Sequence, residues 1–568
     1  MRYSEVKKLN KKIIKNLKGK EINIAVLSNV TVNSLKEILE LELRKEGLNA
    51  KVSIGNFDSF LSESEKYSSF DAVIFFWEIV NLVPEISEEY YFYSKKEMIQ
   101  IARQKEAEIK QTLKNLKHVP LVIFNKFSTY KFDKNPIAES SLSDLTERLN
   151  LFLKQEKEKN TFLVDLNKIF FSVNFPINEK QYFLTSELYK DDFYFKYSES
   201  IKYLFLALYG KTKKVLVLDC DNTLWGGIIG EDGEDELKLG GSSNEGKIFK
   251  RVQNIVKRYK DQGVLIALCS KNNAEDVDSV FFNNKNMILN NEDIVVKKIN
   301  WKDKASNLKE ISKELNLSLD SFIFVDDSKF EIGLINKALP EVKTILVPSN
   351  LYDFPEKMKN LSIDFFNISG SKEDSERTSL YINERRRKEK KNSFDSLENY
   401  LNSLELILKI QKKKEISISR AAQMCQKTNQ FNLTTIRHTE QDIKNFIEDD
   451  ETKIYTFELS DKFGSYGITG LSICKVDKVK QIAKIDSFLM SCRVIGRNIE
   501  IKFLEKIIED LKKDNVNLVK AKYIETKKNT QFKDFYLKMG FKQTKDPEIF
   551  SLEIKKFKSK NLKYIKIV

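Results

Sequence analysis

Short apolar runs, each closed by a polar cluster and followed by a long charged helix, recur through the first 365 residues of the chain. Ile22–Ser28, Lys51–Ile54, Ala72–Trp77, Leu121–Asn125 and Thr161–Val164 read as strands. Val32–Leu48 and Lys95–Lys117 are the clearest helices between them. Strands that alternate with helices, and are apolar along their whole length, predict parallel sheets covered on both faces. A second block, residues 212–365, repeats the pattern with Val215–Leu218, Val264–Leu268, Ile294–Val296 and Phe322–Val325. None of these runs approaches the roughly 18 residues of a membrane helix. No apolar stretch follows the basic N-terminus, so no secretory signal is expected.

After a charged connector expected to be helical, residues 366–400, the order changes. Strands at Leu404–Ile410, Lys453–Leu459, Tyr466–Lys475, Ile482–Met490 and Leu518–Ile524 mix with helices at Ile416–Cys425, Asn498–Leu511 and Lys528–Met539. The chain therefore reads as multidomain α/β: domains at 1–207 and 212–365 with parallel sheets, the connector, and an α+β domain at 403–568. At 568 residues there is room for about four domains of average size.

Five cysteines without short regular spacing make no disulfide framework. They read as reduced thiols, and a cytoplasmic location is expected. The formal charge is +14, from 97 Lys and Arg against 83 Asp and Glu. Acids and bases interleave almost everywhere, which fits a Lys-covered surface better than a nucleic-acid or membrane partner. Two stretches stand out from that pattern, Arg385–Lys391 and Lys555–Lys560.

The chemistry concentrates where the strands of the second block end. Val215–Leu218 runs into Asp219-Cys220-Asp221. Two carboxylates one residue apart beside a phosphate need a cation, and Mg²⁺ suits oxygen donors. The first can attack phosphorus; the second can pass a proton to and from the leaving group. The next strand ends in Cys269-Ser270-Lys271-Asn272, a hydroxyl with free N–H groups ahead of a helix. Trp301-Lys302-Asp-Lys304 opens another helix with a point charge, and the following strand ends in Asp326-Asp327.

Carboxylate pair, hydroxyl, lysine and carboxylate pair, in that order on alternating strands, resemble the haloacid-dehalogenase (HAD) phosphohydrolase superfamily. The resemblance makes Asp219 nucleophile and metal ligand. Asp221 becomes the acid/base, binding metal through its backbone carbonyl. Ser270 and Lys304 become the phosphoryl holders, with Lys302 and Lys271 as rivals to Lys304, and Asp326 with Asp327 completes the Mg²⁺ set. Only about 49 residues separate Asp221 from Ser270, and about 34 separate Ser270 from Lys304. Both intervals are filled by the helix and strand the fold requires, so no large cap domain is expected.

Further segments resemble the FkbH-like subfamily: Trp225-Gly-Gly-Ile-Ile-Gly-Glu-Asp-Gly233 after the aspartates, then Lys427–Thr434, Asp461–Gly464, Leu489–Gly496 and Phe535–Phe541. Its members join an SGNH-hydrolase-like domain, the phosphatase domain and an acyltransferase-like (GNAT) domain. The resemblance implies a protein that takes a glyceryl unit from 1,3-bisphosphoglycerate and removes phosphate. It then loads the unit on the phosphopantetheine thiol of an acyl carrier protein. The acceptor thiol stays open among Cys220, Cys269 and Cys492. Arg493, Gly496 and Asn498 occupy the place where acetyltransferases present N–H groups to coenzyme A. Asn498 replaces a small residue, which weakens the fit to acetyl-CoA, and a phosphopantetheine arm is the alternative.

Two other functions remain in view. One is a phosphatase for a sugar or polyol phosphate, with an acetyltransferase-like domain, in surface-polysaccharide synthesis. The other is a scaffold without turnover. In the first domain Ser28 and Asp165 lack a histidine placed as a triad requires, because the chain has only His118 and His438. No catalysis is expected there.

Overall fold

The computed structural model describes residues 3–17, 21–82, 86–130, 140–241, 243–366, 394, 396–462, 464–526, 528–560 and 562–568. The Arg385–Lys391 run and most of the expected connector lie outside the described residues. The chain divides into two units, Met1–Leu208 with Arg437–Ile443, and Tyr209–Ile436 with Lys444–Val568.

In the first unit β1 (Ile22–Ser28), β2 (Ala50–Ile54), β3 (Ala72–Phe76), β4 (Leu121–Lys126) and β5 (Thr161–Asp165) form one sheet. Its order is β2-β1-β3-β4-β5, and every neighbouring pair is parallel. All five side chains of β3 are buried, as a strand covered on both faces demands. The long helix Lys95–Asn115 starts from a capping box: Ser94 accepts from the Glu97 N–H, and the Glu97 carboxylate accepts from the Ser94 N–H.

The second unit holds two sheets. The first contains β6 (Val215–Leu218), β7 (Leu265–Ser270), β8 (Ile294–Ile299), β9 (Phe322–Asp326) and β10 (Lys343–Leu346), ordered β10-β9-β6-β7-β8 and parallel throughout. β6 is central, and its four apolar side chains are buried on both faces. In an open parallel sheet of this kind, ligands gather outside the carboxyl ends of the strands, where the chain reverses its direction of travel across the sheet. Among the described residues the segments between these strands are a short flap with the helix Asn244–Asp261, then the helices Ala274–Asn283, Lys304–Leu315 and Lys329–Ala338. No separate domain is inserted.

The other sheet contains β11 (Leu406–Lys412), β12 (Phe431–Asn432), β13 (Thr452–Asp461), β14 (Gly464–Asp477), β15 (Ile482–Met490), β16 (Leu518–Lys522), β17 (Lys542–Gln543), β18 (Ile549–Glu553) and β19 (Ile565–Ile567). The order is β17-β18-β16-β15-β14-β13-β11-β19, with β12 also against β15. It is antiparallel except at β15–β16 and β11–β19. The helix Ile499–Lys513 buries Phe503, Leu504, Ile507, Ile508 and Leu511 in a core shared with Phe457 and Phe488 of the sheet. The protein is thus a multidomain α/β chain. Among the described residues no helix is long and apolar enough to cross a membrane.

Candidate active site

β6 delivers Asp219 at its carboxyl end, and the Asp219 N–H donates to the Val325 carbonyl of β9 at 3.0 Å, so the two strand ends are held together. Asp326 closes β9. Lys304 is the first residue of the helix Lys304–Leu315, whose N-cap Asp303 accepts from the Ser306 N–H. That cap aims the lysine back across the strand ends. Its ammonium lies 2.6 Å from Asp326 Oδ2 and 3.1 Å from Asp219 Oδ1. All three side chains are almost fully buried. Of the three candidate lysines, this one contacts Asp219 and Asp326. Lys302 is exposed, and Lys271 pairs with Glu331 at 2.7 Å.

One lysine among these acids is insufficient. Oxygens of Asp219, Asp326 and Asp327 lie within 4.8 Å of one another. Three carboxylates against a single ammonium leave two negative charges, which is what one divalent cation neutralises. The electrostatics agree. Burial pushes the Asp219 carboxyl up to about 6, Lys304 opposes that rise, and Asp326 adds to it. Burial raises Asp326 as well, and burial with the nearby Asp219 raises Asp327. Burial lowers the Lys304 ammonium, but Asp219 and Asp326 outweigh it and hold it protonated. Asp219 Oδ1 is buried and receives no aligned hydrogen bond, although the lysine nitrogen is near. An oxygen-only donor set with an underserved buried carboxylate fits Mg²⁺.

Asp221 stands apart from that cluster. Its Oδ1 accepts from Trp225 Nε1 at 3.0 Å and from the Ile229 N–H at 3.2 Å, and its Oδ2 accepts from Asn272 Nδ2 at 3.0 Å. Asn272 also donates to Ser270 Oγ at 3.1 Å, so one amide locks the acid/base candidate to the phosphoryl-binding hydroxyl. The turn after Asp221 needs Asn222 at φ +51, a conformation asparagine tolerates. Gly227, at φ +104, leaves no room for a Cβ, which would meet Asp232 Oδ2 at 2.8 Å. This explains the Asn and Gly of the flap. Trp225 and Asn272 were not singled out as functional from sequence. A tryptophan four residues past the aspartate was a readable signal; the reach of Asn272 between two strand ends was not.

The cysteines divide sharply. Cys220 is fully buried in the apolar core beside Leu218 and Leu224, and burial with Asp219 pushes its thiol well up. Its sulfur belongs to that packed core. Cys269 is likewise core, its thiol raised by burial to about 12. Cys492 is half-buried in a turn after β15. Its carbonyl accepts from Asn316 Nδ2 at 3.2 Å. Asn316 caps the far end of the helix that begins at Lys304. Twelve residues at about 1.5 Å each put about 18 Å of helix between Lys304 and Asn316. The structure therefore does not bring Cys492 to Asp219.

Arg493, Gly496 and Asn498 do share one loop, ahead of the helix Ile499–Lys513. Gly496 and Asn498 take φ +84 and +60. The buried Arg497 supports the loop, donating to the Arg493 and Ile495 carbonyls. A coenzyme A or phosphopantetheine arm extended from this loop along β15 finds no free strand edge. Met490 pairs with Gly470 of β14 on one side and with Phe431 of β12 on the other. Leu433 then bridges Phe488 and Ile524 through its backbone.

In the first unit Ser28 Oγ donates to the Val30 and Phe76 carbonyls, and Asp165 pairs with Lys126 at 3.2 Å. His118 precedes β4, at the opposite end of the sheet from Ser28. No triad is assembled from these residues.

No protein-family model and no curated protein matches the chain. Among solved structures, it is similar to the N-terminal part of a Bacteroides fragilis protein that contains a phosphatase domain and is complexed with Mg. The identity is 24%, covering 65% of this chain and 100% of that one, with a TM-score of 0.56. A ribosomal-protein alanine N-acetyltransferase from Escherichia coli matches at 15% identity over 27% of this chain and 98% of that one, TM-score 0.21. The PaiA N-acetyltransferase of Thermoplasma acidophilum, complexed with coenzyme A, matches at 16% over 20% and 71%, TM-score 0.17. The first likeness is one of fold; the other two are too slight to argue from.

Proposed function

We propose that the chain is an Mg²⁺-dependent phosphatase acting on a small phosphorylated acyl unit, and that it serves the loading of that unit on an acyl carrier protein. The observation that carries the phosphatase reading is the buried Asp219–Lys304–Asp326 contact, with Asp327 beside it and two negative charges left over. Asp219 attacks phosphorus, and the bond to the leaving oxygen breaks. Asp221, held by Trp225 and Asn272, gives that oxygen a proton and later takes one from the attacking water. Ser270 and Lys304 hold phosphoryl oxygens. Asp219, Asp326 and Asp327, with the Asp221 carbonyl, would hold Mg²⁺, which would supply charge neutralisation.

The finer reading, a phosphoglyceryl unit from 1,3-bisphosphoglycerate and a carrier thiol as acceptor, rests on the FkbH-like motifs. Incubation with 1,3-bisphosphoglycerate, Mg²⁺ and a holo acyl carrier protein should add a glyceryl mass to the carrier. Phosphate release without that mass leaves the phosphatase and removes the loading. One observation favours a second reading, a sugar or polyol phosphatase with an independent third domain. The Cys492 backbone meets the far end of the helix that begins at Lys304, about 18 Å along that helix from the lysine, which speaks against direct transfer between them.

A further inference from the structure

Of the chain's three tryptophans, Trp77 and Trp225 are fully buried, whereas Trp301 is 70% exposed. An indole is large and apolar, and burial is its usual state. Trp301 is held in the open by a hydrogen bond. Its Nε1–H donates to Asn273 Oδ1 at 3.1 Å, and Asn273 Nδ2 donates in turn to Asp276 Oδ2 at 3.1 Å. The ring is anchored by one edge and keeps its apolar surface in solvent. The steps of the proposed reaction make no use of it.

Its place follows from the sheet. Ile299, the last residue of β8, pairs with Ser270 of β7, and the Asn300 N–H donates to the Ser270 carbonyl at 3.1 Å. Trp301 comes next, on the turn that leads to Lys304. Asn273, which holds the indole, follows Asn272, whose amide joins Asp221 to Ser270. The indole is therefore fastened to the turn that carries the phosphoryl-binding hydroxyl, at the strand ends where ligands gather. Phe282 supplies the contrast. It is 87% exposed, but it lies eight residues beyond Ala274 on the helix that follows Asn273, about 12 Å along that helix from the strand ends.

We infer that Trp301 is a specificity-determining residue of the phosphatase site. Its ring is the shelf on which the leaving group of the phosphate ester packs, so favoured substrates carry a flat apolar group next to the phosphoryl group. The inference rests on the phosphatase reading. An anchored ring has little freedom left to lose when a ligand packs on it. An aromatic face takes a flat partner in stacked or edge-on geometry.

Phenylphosphonate and methylphosphonate are not cleaved by phosphatases and differ in the group next to phosphorus. With Mg²⁺ and the full-length chain, phenylphosphonate should inhibit release of phosphate from an aryl phosphate about tenfold more tightly than methylphosphonate. Trp301→Ala should bring the two inhibition constants within about twofold and raise KM for the aryl phosphate about tenfold, with kcat almost unchanged. Trp301→Phe, which keeps a ring and loses the bond to Asn273, should retain most of the preference, and Phe282→Ala should retain all of it. An unchanged preference in Trp301→Ala would overturn the inference. So would a fall in kcat at constant KM, which leaves Trp301 only the task of holding Asn273. A second readout is independent of turnover. Acrylamide quenching of tryptophan emission reports mainly on Trp301, the exposed member of the three. Phenylphosphonate with Mg²⁺ should reduce that quenching about twofold and methylphosphonate should not; equal quenching with both would overturn the inference. A wild type without Mg²⁺-dependent phosphate release removes the phosphatase reading instead, whatever the quenching shows.

Discussion

Among the described residues there are two five-stranded parallel sheets, and the one built on β6 ends in a cluster of three carboxylates against one lysine. In the first unit several polar groups at the carboxyl ends of the strands pair with one another, although Asn125 Nδ2 and Glu78 Oε1 are buried without a hydrogen-bond partner. Ser28 donates to two carbonyls, Asn29 exchanges hydrogen bonds with the Glu78 backbone, and Asn125 accepts from Tyr197. The buried Glu78 is surrounded by Tyr189, Tyr194 and Tyr197, and burial pushes its carboxyl up to about 8. At the equivalent end of the β6 sheet three carboxylates face one lysine. The scaffold is common to both. What separates a packed strand end from a reactive one is whether the local charges close without a ligand.

The comparison breaks most directly at Asp219. Asp219→Asn should lower phosphate release from a generic aryl phosphate by about 10³-fold or more, whereas Ser28→Ala should leave it within about twofold. Equal losses in the two variants would end the distinction between the sheets. Chelation by EDTA should abolish turnover of the wild type. Returning Mg²⁺ at about 100 times its Kd should raise the stability of the second unit by about 2.7 kcal/mol, read as a shift in its melting transition. Asp327→Asn should shrink that shift, because it removes one of the three clustered carboxylates.

Glu78 sharpens the other side of the comparison. Its unfolded carboxyl releases a proton near 4.5, and the folded one near 8. The folded state therefore holds the extra proton between those values. Stability present below about pH 4.5 is lost as pH rises toward 8, by at most about 1.4 kcal/mol per pH unit. Glu78→Gln should flatten the pH dependence of the first melting transition across that window; an unchanged slope would assign it to other groups. The smallest effect is expected at Asn272. Asn272→Ala should reduce kcat by about tenfold and broaden the limb of the pH–rate profile that reports Asp221, with the melting temperature almost unchanged.

Much of the fold was legible because strands buried on both faces write themselves as unbroken apolar runs. β1, β6 and β15 coincide with their expected ranges. β7 runs two residues further than expected, since the polar Ser270 still pairs with Ile299 of β8. β10 was not anticipated: Lys343–Leu346 is a short edge strand with one fully buried side chain. The helix expected over Lys528–Met539 is broken into the turn Thr530–Phe532 and the short helix Phe535–Lys538. There the buried Asn529 side chain donates to the Ile524 and Asn432 carbonyls and accepts from the Thr526 N–H, which draws the backbone out of a helix.

At the site, Asp219, Ser270, Lys304 and Asp326 could be read because each adjoins an element end. The choice among three lysines, the clamp on Asp221 and the remoteness of Cys492 depend on how one helix lies across the sheet, which no local pattern encodes. Cys220 sits between Asp219 and Asp221 in sequence, yet strand alternation turns its sulfur into the core.

The flap and single helices between β6, β7 and β8 have a consequence for selectivity. Among the described residues no domain is inserted to grip a substrate from all sides. On the proposed reading, Asp219 would recognise little beyond a phosphoryl group and the atoms next to it, discrimination would fall to whatever delivers that group to the doorway, and water from bulk solvent would carry the phosphorus off as inorganic phosphate.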